Sequence, residues 1–238
     1  MNKELIANTC EDFYKECLRE IPQYQNGNLI WILNGSTLCN ILYNVVKIDD
    51  ISVNDEFRKY CYEFIRQPKG DIDISYRVGR KYLFDLDNKY IKAFQNISEE
   101  VRTYNFVDHN SEITDDDLKE LCTMETKSGL KFVAKKPQYL FLYKLKELLS
   151  IFHKEILIDD IDSINSKKKN IISDVINLYK IAISYCKKEE LDKVLIELKN
   201  KSFYLHNLYN DNKDDYCELI NKALDLLNKS LKKEKIII

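Results

Sequence analysis

"LIWILNGSTLCNIL" (residues 29–42) runs from one apolar stretch through Asn34-Gly35-Ser36 into another. "LIWIL" (29–33) is short, continuous, β-branched and aromatic, which suits a buried strand. "TLCNILYNVV" (37–46) has apolar residues at helical spacing and follows Ser36, a good N-cap. The stretch therefore predicts a strand, a tight turn and a helix. Only five glycines occur in 238 residues, so a glycine at this turn is a specific choice. It permits unusual backbone angles and lets a ligand approach the main chain. The helix that follows presents free N–H groups and a positive dipole end to an anion.

Another of the five glycines stands in "KGDIDIS" (69–75). "DIDISY" (71–76) alternates strictly and reads as a strand. Side chains two apart on a strand face the same side, so Asp71 and Asp73 project two carboxylates together while Ile72 and Ile74 point into the core. Adjacent like charges are costly unless a cation neutralises them, and Mg²⁺ held by carboxylates and substrate phosphates is the usual solution. The two glycine-marked stretches together suit a metal-bound nucleoside triphosphate.

The rest of the chain frames that pair. Hydrophobic residues make up 45% and charged residues 32%, ordinary for a globular protein. A net charge of −2 gives no global attraction to nucleic acid or anionic membrane, so such contacts need a local patch. The seven cysteines are dispersed without a C-x-x-C pair, which argues for reduced thiols in a cytoplasmic protein and against a disulfide framework or zinc site. The N-terminal stretch lacks the apolar core of a signal peptide, and no run approaches the ~18 apolar residues of a membrane span.

Residues 3–20 and 53–67 have amphipathic helical spacing, ended by Pro22 and Pro68. Residues 88–97 also read as helical, a hairpin is expected around "TKSGLKFVA" (126–134), and the acidic run 115–117 reads as the cap of a short helix. After Pro137 the character changes: 138–156, 170–188, 190–209 and 214–233 are four helical patterns almost without glycine or proline. The expectation is an α/β (α+β) fold in which a small mixed sheet within residues 1–137 carries the site and a helical domain, 138–238, follows. Lys167, Lys168 and Lys169 read as a solvated loop that could join Lys135, Lys136 and Lys146 in a patch for a nucleic-acid backbone.

A Gly-Ser at a strand-to-helix turn followed by Asp-x-Asp on the next strand resembles the polymerase-β-like nucleotidyltransferases. Within them the chain looks most like the AbiEii/AbiGii-type toxin nucleotidyltransferases, the MenT toxins among them. "KPQYLFLYKLKELL" (136–149) matches the family's lysine-bearing helix and places its lysine at Lys144. "KKKNIISDVINLYKI" (167–181) places the later family aspartate at Asp174. The likeness covers roughly residues 28–180. The span from Ser36 to Asp71 exceeds the family pattern and accommodates the extra helix over 53–67. Only Arg66 and Lys69 stand where the family often has an arginine before Asp-x-Asp, and the third carboxylate common across the superfamily is Asp108, Glu125 or none.

The resemblance implies a Mg²⁺-dependent enzyme that transfers a nucleotide from an NTP to RNA, tRNA ends in particular, or to a protein hydroxyl. It implies the toxin of a toxin–antitoxin or phage-defence system, with a cognate antitoxin as partner and no membrane. Asp71 and Asp73 would hold the metal. Gly35, Ser36 and Lys69 would bind the nucleotide, Lys144 would neutralise the leaving pyrophosphate, and Asp174 would orient Lys144 or the acceptor. The alternatives are a non-catalytic nucleotide- or partner-binding protein of the same fold, or an enzyme of antibiotic-modifying type with a small-molecule acceptor.

Overall fold

The computed structural model describes residues 2–25, 27–67, 71–77, 106–155 and 161–196, with 92, 221, 225 and 229 as isolated positions. The chain divides into two compact units, Met1–Lys136 and Pro137–Ile238. The fold is mixed α/β.

The first unit begins with helix α1 (Lys3–Glu20). The Asn2 side chain caps it by accepting from the Glu4 N–H at 3.0 Å. Its buried residues include Ile6, Cys10, Phe13, Tyr14 and Cys17, spaced three and four apart along one face. The hairpin β1 (Tyr24–Gln25) and β2 (Asn28–Leu29) leads into strand β3 (Trp31–Leu33) and helix α2 (Gly35–Ile41). A 3₁₀ turn (Leu42–Asn44) then feeds β4 (Val45–Ile48) and β5 (Ile51–Ser52). The helix read over 37–46 therefore ends at Ile41, and its last residues enter a strand. Leu38, Ile41, Leu42 and Val45 are all buried, so the apolar spacing is real, but Val45 and Ile48 are held by antiparallel pairing with β8 (Leu121–Thr126). Tertiary pairing overrides the local period.

Helix α3 (Asp55–Phe64) is capped by the Asn54 side chain, which accepts from the Phe57 N–H at 2.7 Å. Strands β6 (Asp71–Tyr76) and β7 (Phe106–Glu112) follow, then a 3₁₀ turn (Asp117–Glu120), β8 and β9 (Lys131–Lys135). Asp117 accepts from the Thr114 N–H at 2.8 Å and its hydroxyl at 2.7 Å, so the acidic run does start a short helical turn. Strands β3, β6 and β7 form a mixed three-stranded sheet, with β6 central, antiparallel to β3 and parallel to β7. A second sheet runs β5-β4-β8-β9, with β8 and β9 forming the expected hairpin.

Two buried polar side chains tie these pieces together. Gln23 donates from Nε2 to the Val133 carbonyl (2.9 Å) and the Trp31 carbonyl (3.3 Å), and accepts from the Val133 N–H (2.8 Å). It thereby mimics a strand between β3 and β9 and satisfies an edge that would otherwise be open. Glu11 accepts from the Thr126 hydroxyl (2.7 Å), from the Ser128 hydroxyl and from Asn44 Nδ2 (2.7 Å). It pins α1 to the β8–β9 turn. Around them the core is apolar, with Tyr14 edge-on to Trp31 (5.6 Å) and to Phe132 (5.0 Å).

In the second unit, α4 (Pro137–Glu155) packs along α5 (Ile161–Tyr185), and residues 188–196 are helical. Phe141, Leu145 and Leu148 are buried, as are Ile171, Val175 and Leu178, and Phe141 meets Tyr179 edge-on at 5.5 Å. Helix α5 is continuous through residues 167–169, so those lysines are helical rather than a loop. Among the described residues no helix is long and apolar enough to cross a membrane. The helix read over 88–97 and most of those over 190–209 and 214–233 lie outside the described residues.

Candidate active site

Asn34-Gly35-Ser36 joins β3 to α2. The β3–β6 register pairs Trp31 with Tyr76, Ile32 with Ser75 and Leu33 with Ile74. The ladder continues past both ends, because the Arg77 N–H donates to the Ile30 carbonyl and the Asn34 N–H to the Asp73 carbonyl, each at 2.8 Å. The turn is thus fastened to the Asp-x-Asp strand at the second aspartate.

Gly35 explains the glycine. Its φ is +64°, in the left-handed region that L side chains avoid. A Cβ at this position would lie 1.7 Å from Asp73 Oδ2 and 2.6 Å from its Cγ. The Asp73 carboxylate lies directly against the Gly35 backbone. The two glycine-marked stretches meet, and they do so through the residue types expected to share a ligand.

Asn34 holds this arrangement. It is the N-cap of α2, two residues before the Ser36 expected there, yet its side chain makes no cap bond. Instead Nδ2 donates to the Ser75 hydroxyl at 2.7 Å, with both residues buried. Along β6, Ile72, Ile74 and Tyr76 are buried on the core side and Asp73 is half-buried. Ser36 is half-buried in the first turn of α2, which carries no acidic residue of its own. Asn40 reaches from α2 to the chain entering β6: its Nδ2 donates to the Arg66 carbonyl (2.9 Å) and its Oδ1 accepts from the Arg66 N–H (3.1 Å). The Arg66 guanidinium lies 5.3 Å from the centroid of the Phe64 ring.

The other candidate residues fall as follows. Asp71 opens β6, opposite Phe106 in the register. Asp108 is the register partner of Asp73 on the parallel neighbour β7. Glu125 belongs to the other sheet and is ion-paired with Lys47 (3.7 Å) and Lys131 (3.8 Å). Of the two residues named as possible third carboxylates, Asp108 is therefore the one at a register position beside Asp73. Lys69 lies outside the described residues. Among the described residues no three His, Cys, Asp or Glu side chains form a metal-binding group.

Lys144 and Asp174 come together in the second unit. Lys144 Nζ is 3.7 Å from Asp174 Oδ2 and donates to Glu147 at 2.6 Å. Asp174 is 4% exposed, so its charge is compensated away from bulk water. Glu147 was not among the sequence candidates, although its i,i+3 spacing from Lys144 is a standard signal for a pair on one helix face. Asn34 and Asn40 carry no such signal, since an asparagine side chain that crosses to another element is invisible to spacing.

Comparison with known protein families, with curated proteins and with solved structures finds no match to this chain.

Proposed function

We propose that the chain is a Mg²⁺-dependent nucleotidyltransferase that moves a nucleoside monophosphate from an NTP to a hydroxyl of RNA, tRNA in particular, or of a protein, and serves as the toxin of a toxin–antitoxin or phage-defence system with a cognate antitoxin. One observation carries the reading: the Asn-Gly-Ser turn abuts the Asp73 carboxylate so closely that Gly35 has no room for a Cβ. A strand–turn–helix suited to phosphate and an aspartate suited to metal thus share one place.

By residue type the cation is suited: Asp71 and Asp73 on β6, with Asp108 at the register position beside Asp73, would offer hard oxygen donors, the chemistry Mg²⁺ prefers. When bound, the ion would neutralise phosphate charge and lower the barrier to displacement. The chain's own groups do the rest. The Gly35 and Ser36 backbone N–H groups and the Ser36 hydroxyl bind the β- and γ-phosphates. Asn34 keeps the turn in register with Asp73. The acceptor hydroxyl attacks the α-phosphorus and gives up its proton to water, a P–O bond forms, the bond from the α-phosphorus to the bridging β-phosphate oxygen breaks, and pyrophosphate leaves with the electron pair. Within the second unit, Asp174 and Glu147 are ion-paired with Lys144. Catalysis of this kind is mostly positioning and electrostatic stabilisation.

The test incubates the protein with each α-³²P-labelled NTP, Mg²⁺ and total tRNA, beside an Asp73→Asn variant. The reading expects label on tRNA or on protein with wild type and at least a ~100-fold loss in the variant, the scale of removing one preorganised charge-stabilising group. Retained NTP binding without transfer to either acceptor would replace it with a non-catalytic protein or a small-molecule acceptor.

A further inference from the structure

The Asp73 carboxylate stands against the first residue of α2. Its Oδ2 lies 1.7 Å from the position a Gly35 Cβ would take, so it covers that side of the Gly35 backbone. Helix α2 brings no anion of its own to this place: its first turn has no acidic residue, and its N-cap Asn34 makes no side-chain cap bond. The negative group at this helix start comes from β6.

A phosphate bound by the Gly35 and Ser36 N–H groups needs the same ground. Its oxygen would sit about 3 Å from the amide nitrogen. With Asp73 Oδ2 against the same residue, two like charges would then be in close contact. Asp73 is half-buried, so water screens that repulsion incompletely. A carboxylate in this position and a phosphate on the turn therefore exclude each other.

The turn itself is fastened. The Asn34 N–H donates to the Asp73 carbonyl at 2.8 Å, and Asn34 Nδ2 donates to the buried Ser75 hydroxyl at 2.7 Å. These bonds hold the two backbones together and leave the Asp73 side chain, with its two torsions, as the part that can move. The acids at neighbouring positions are Asp71, two residues earlier on β6, and Asp108, the register partner on β7. Gathering carboxylates there is costly without a cation and favourable with one.

We infer that Asp73 is a cation-operated latch on the nucleotide site. Against Gly35 it shuts the turn to phosphate. A divalent cation at the β6–β7 acids draws the carboxylate off and opens the turn, so the triphosphate binds with the metal or after it. Coupling of this kind is reciprocal, and bound triphosphate tightens the metal by the same factor. The ligands are those of the nucleotidyl-transfer reading, on which the latch rests; what the latch adds is their order.

Calorimetry on the full chain tests it, with inorganic tripolyphosphate as the probe, first in EDTA and then in Mg²⁺. Wild type is expected to bind about tenfold or more weakly in EDTA than in Mg²⁺. In EDTA, Asp73→Ala and Asp73→Asn are each expected to bind about tenfold or more tightly than wild type, although both lose a metal ligand. Asp71→Ala removes the same charge two residues away and controls for net charge; its gain in EDTA stays below about threefold. Mg²⁺-dependent binding by wild type with no gain in either Asp73 variant overturns the latch and leaves the nucleotide site standing. An equal gain in Asp71→Ala overturns it too, since the effect is then one of net charge. No binding of tripolyphosphate by any of the four proteins, with or without Mg²⁺, sinks the nucleotidyl-transfer reading and the latch with it.

Discussion

Gly35→Ala isolates the contact between the two motifs. Where backbone angles are ordinary, replacing glycine by alanine stabilises a protein slightly, because the unfolded chain loses freedom. Here the sign reverses. At φ +64° an L side chain costs about 1–2 kcal/mol. The added methyl also falls 1.7 Å from Asp73 Oδ2, which forces the carboxylate or the turn to move, an overpacking cost of about 1–3 kcal/mol. The two terms sum to about 2–5 kcal/mol. They can be separated. In an Asp73→Ala background the Oδ2 and Cγ clashes vanish and only the Asp73 Cβ, 2.9 Å away, remains. Urea unfolding of the four proteins gives the cycle: Gly35→Ala costs about 2–5 kcal/mol in wild type and nearer 1–2 in the Asp73→Ala background. An equal cost in both backgrounds, within ~0.5 kcal/mol, would refute the contact between Gly35 and the carboxylate.

Asn34→Ala removes the bond to buried Ser75 and is expected to cost about 1–2 kcal/mol in urea unfolding and to lower nucleotide transfer as well, because the turn loses its side-chain tie to β6 and keeps only the backbone bond to Asp73. Glu11→Gln should cost about 1–3 kcal/mol at pH 7, since the two hydroxyls and Asn44 lose a charged acceptor. Burial alone would raise the Glu11 pKa, but the hydrogen bonds from Ser128, Thr126 and Asn44 and the Lys15 charge bring it below the ordinary value. A lowered folded pKa gives stability that is present above the unfolded value and lost as pH falls through the folded one. The gap between wild type and Glu11→Gln, measured by urea midpoints, should therefore shrink below pH about 4.5. Burial pushes the Cys122 thiol up to about 12 and Cys186 to about 11. Thiolate is then scarce at pH 8, and mass-spectrometric mapping of iodoacetamide labelling should find both slow to react until urea unfolds the chain.

Much of the first unit could be read from local pattern. The helix expected over 3–20 is α1, the alternating 71–76 is β6, and the hairpin around 126–134 is β8–β9. In each case pattern and environment agree. Reading failed where a distant partner decides. Residues 37–46 carry a true apolar period, but β8 takes Val45–Ile48 into a sheet. Ser36 is a good cap by composition, yet the cap is Asn34, two residues earlier, where the chain is engaged by β6. Lys167 to Lys169 looked like loop because of their charge, and α5 runs straight through them. At the candidate site, residue types and chain order were visible, but the fit of Gly35 against Asp73 and the placing of Asp108 beside it depend on strand register. The β3–β6–β7 order brings together strands separated by long stretches of chain, and no local signal encodes it.

The most direct test of the central claim, that the Gly35–Ser36 turn and Asp73 form one metal–nucleotide site, is calorimetric titration with a non-hydrolysable NTP, with and without Mg²⁺. The account predicts binding that requires Mg²⁺ and weakens by about tenfold or more in both Asp73→Asn and Gly35→Ala. Nucleotide binding that is unchanged without Mg²⁺, or equally tight in Asp73→Asn, would place the nucleotide elsewhere and contradict it.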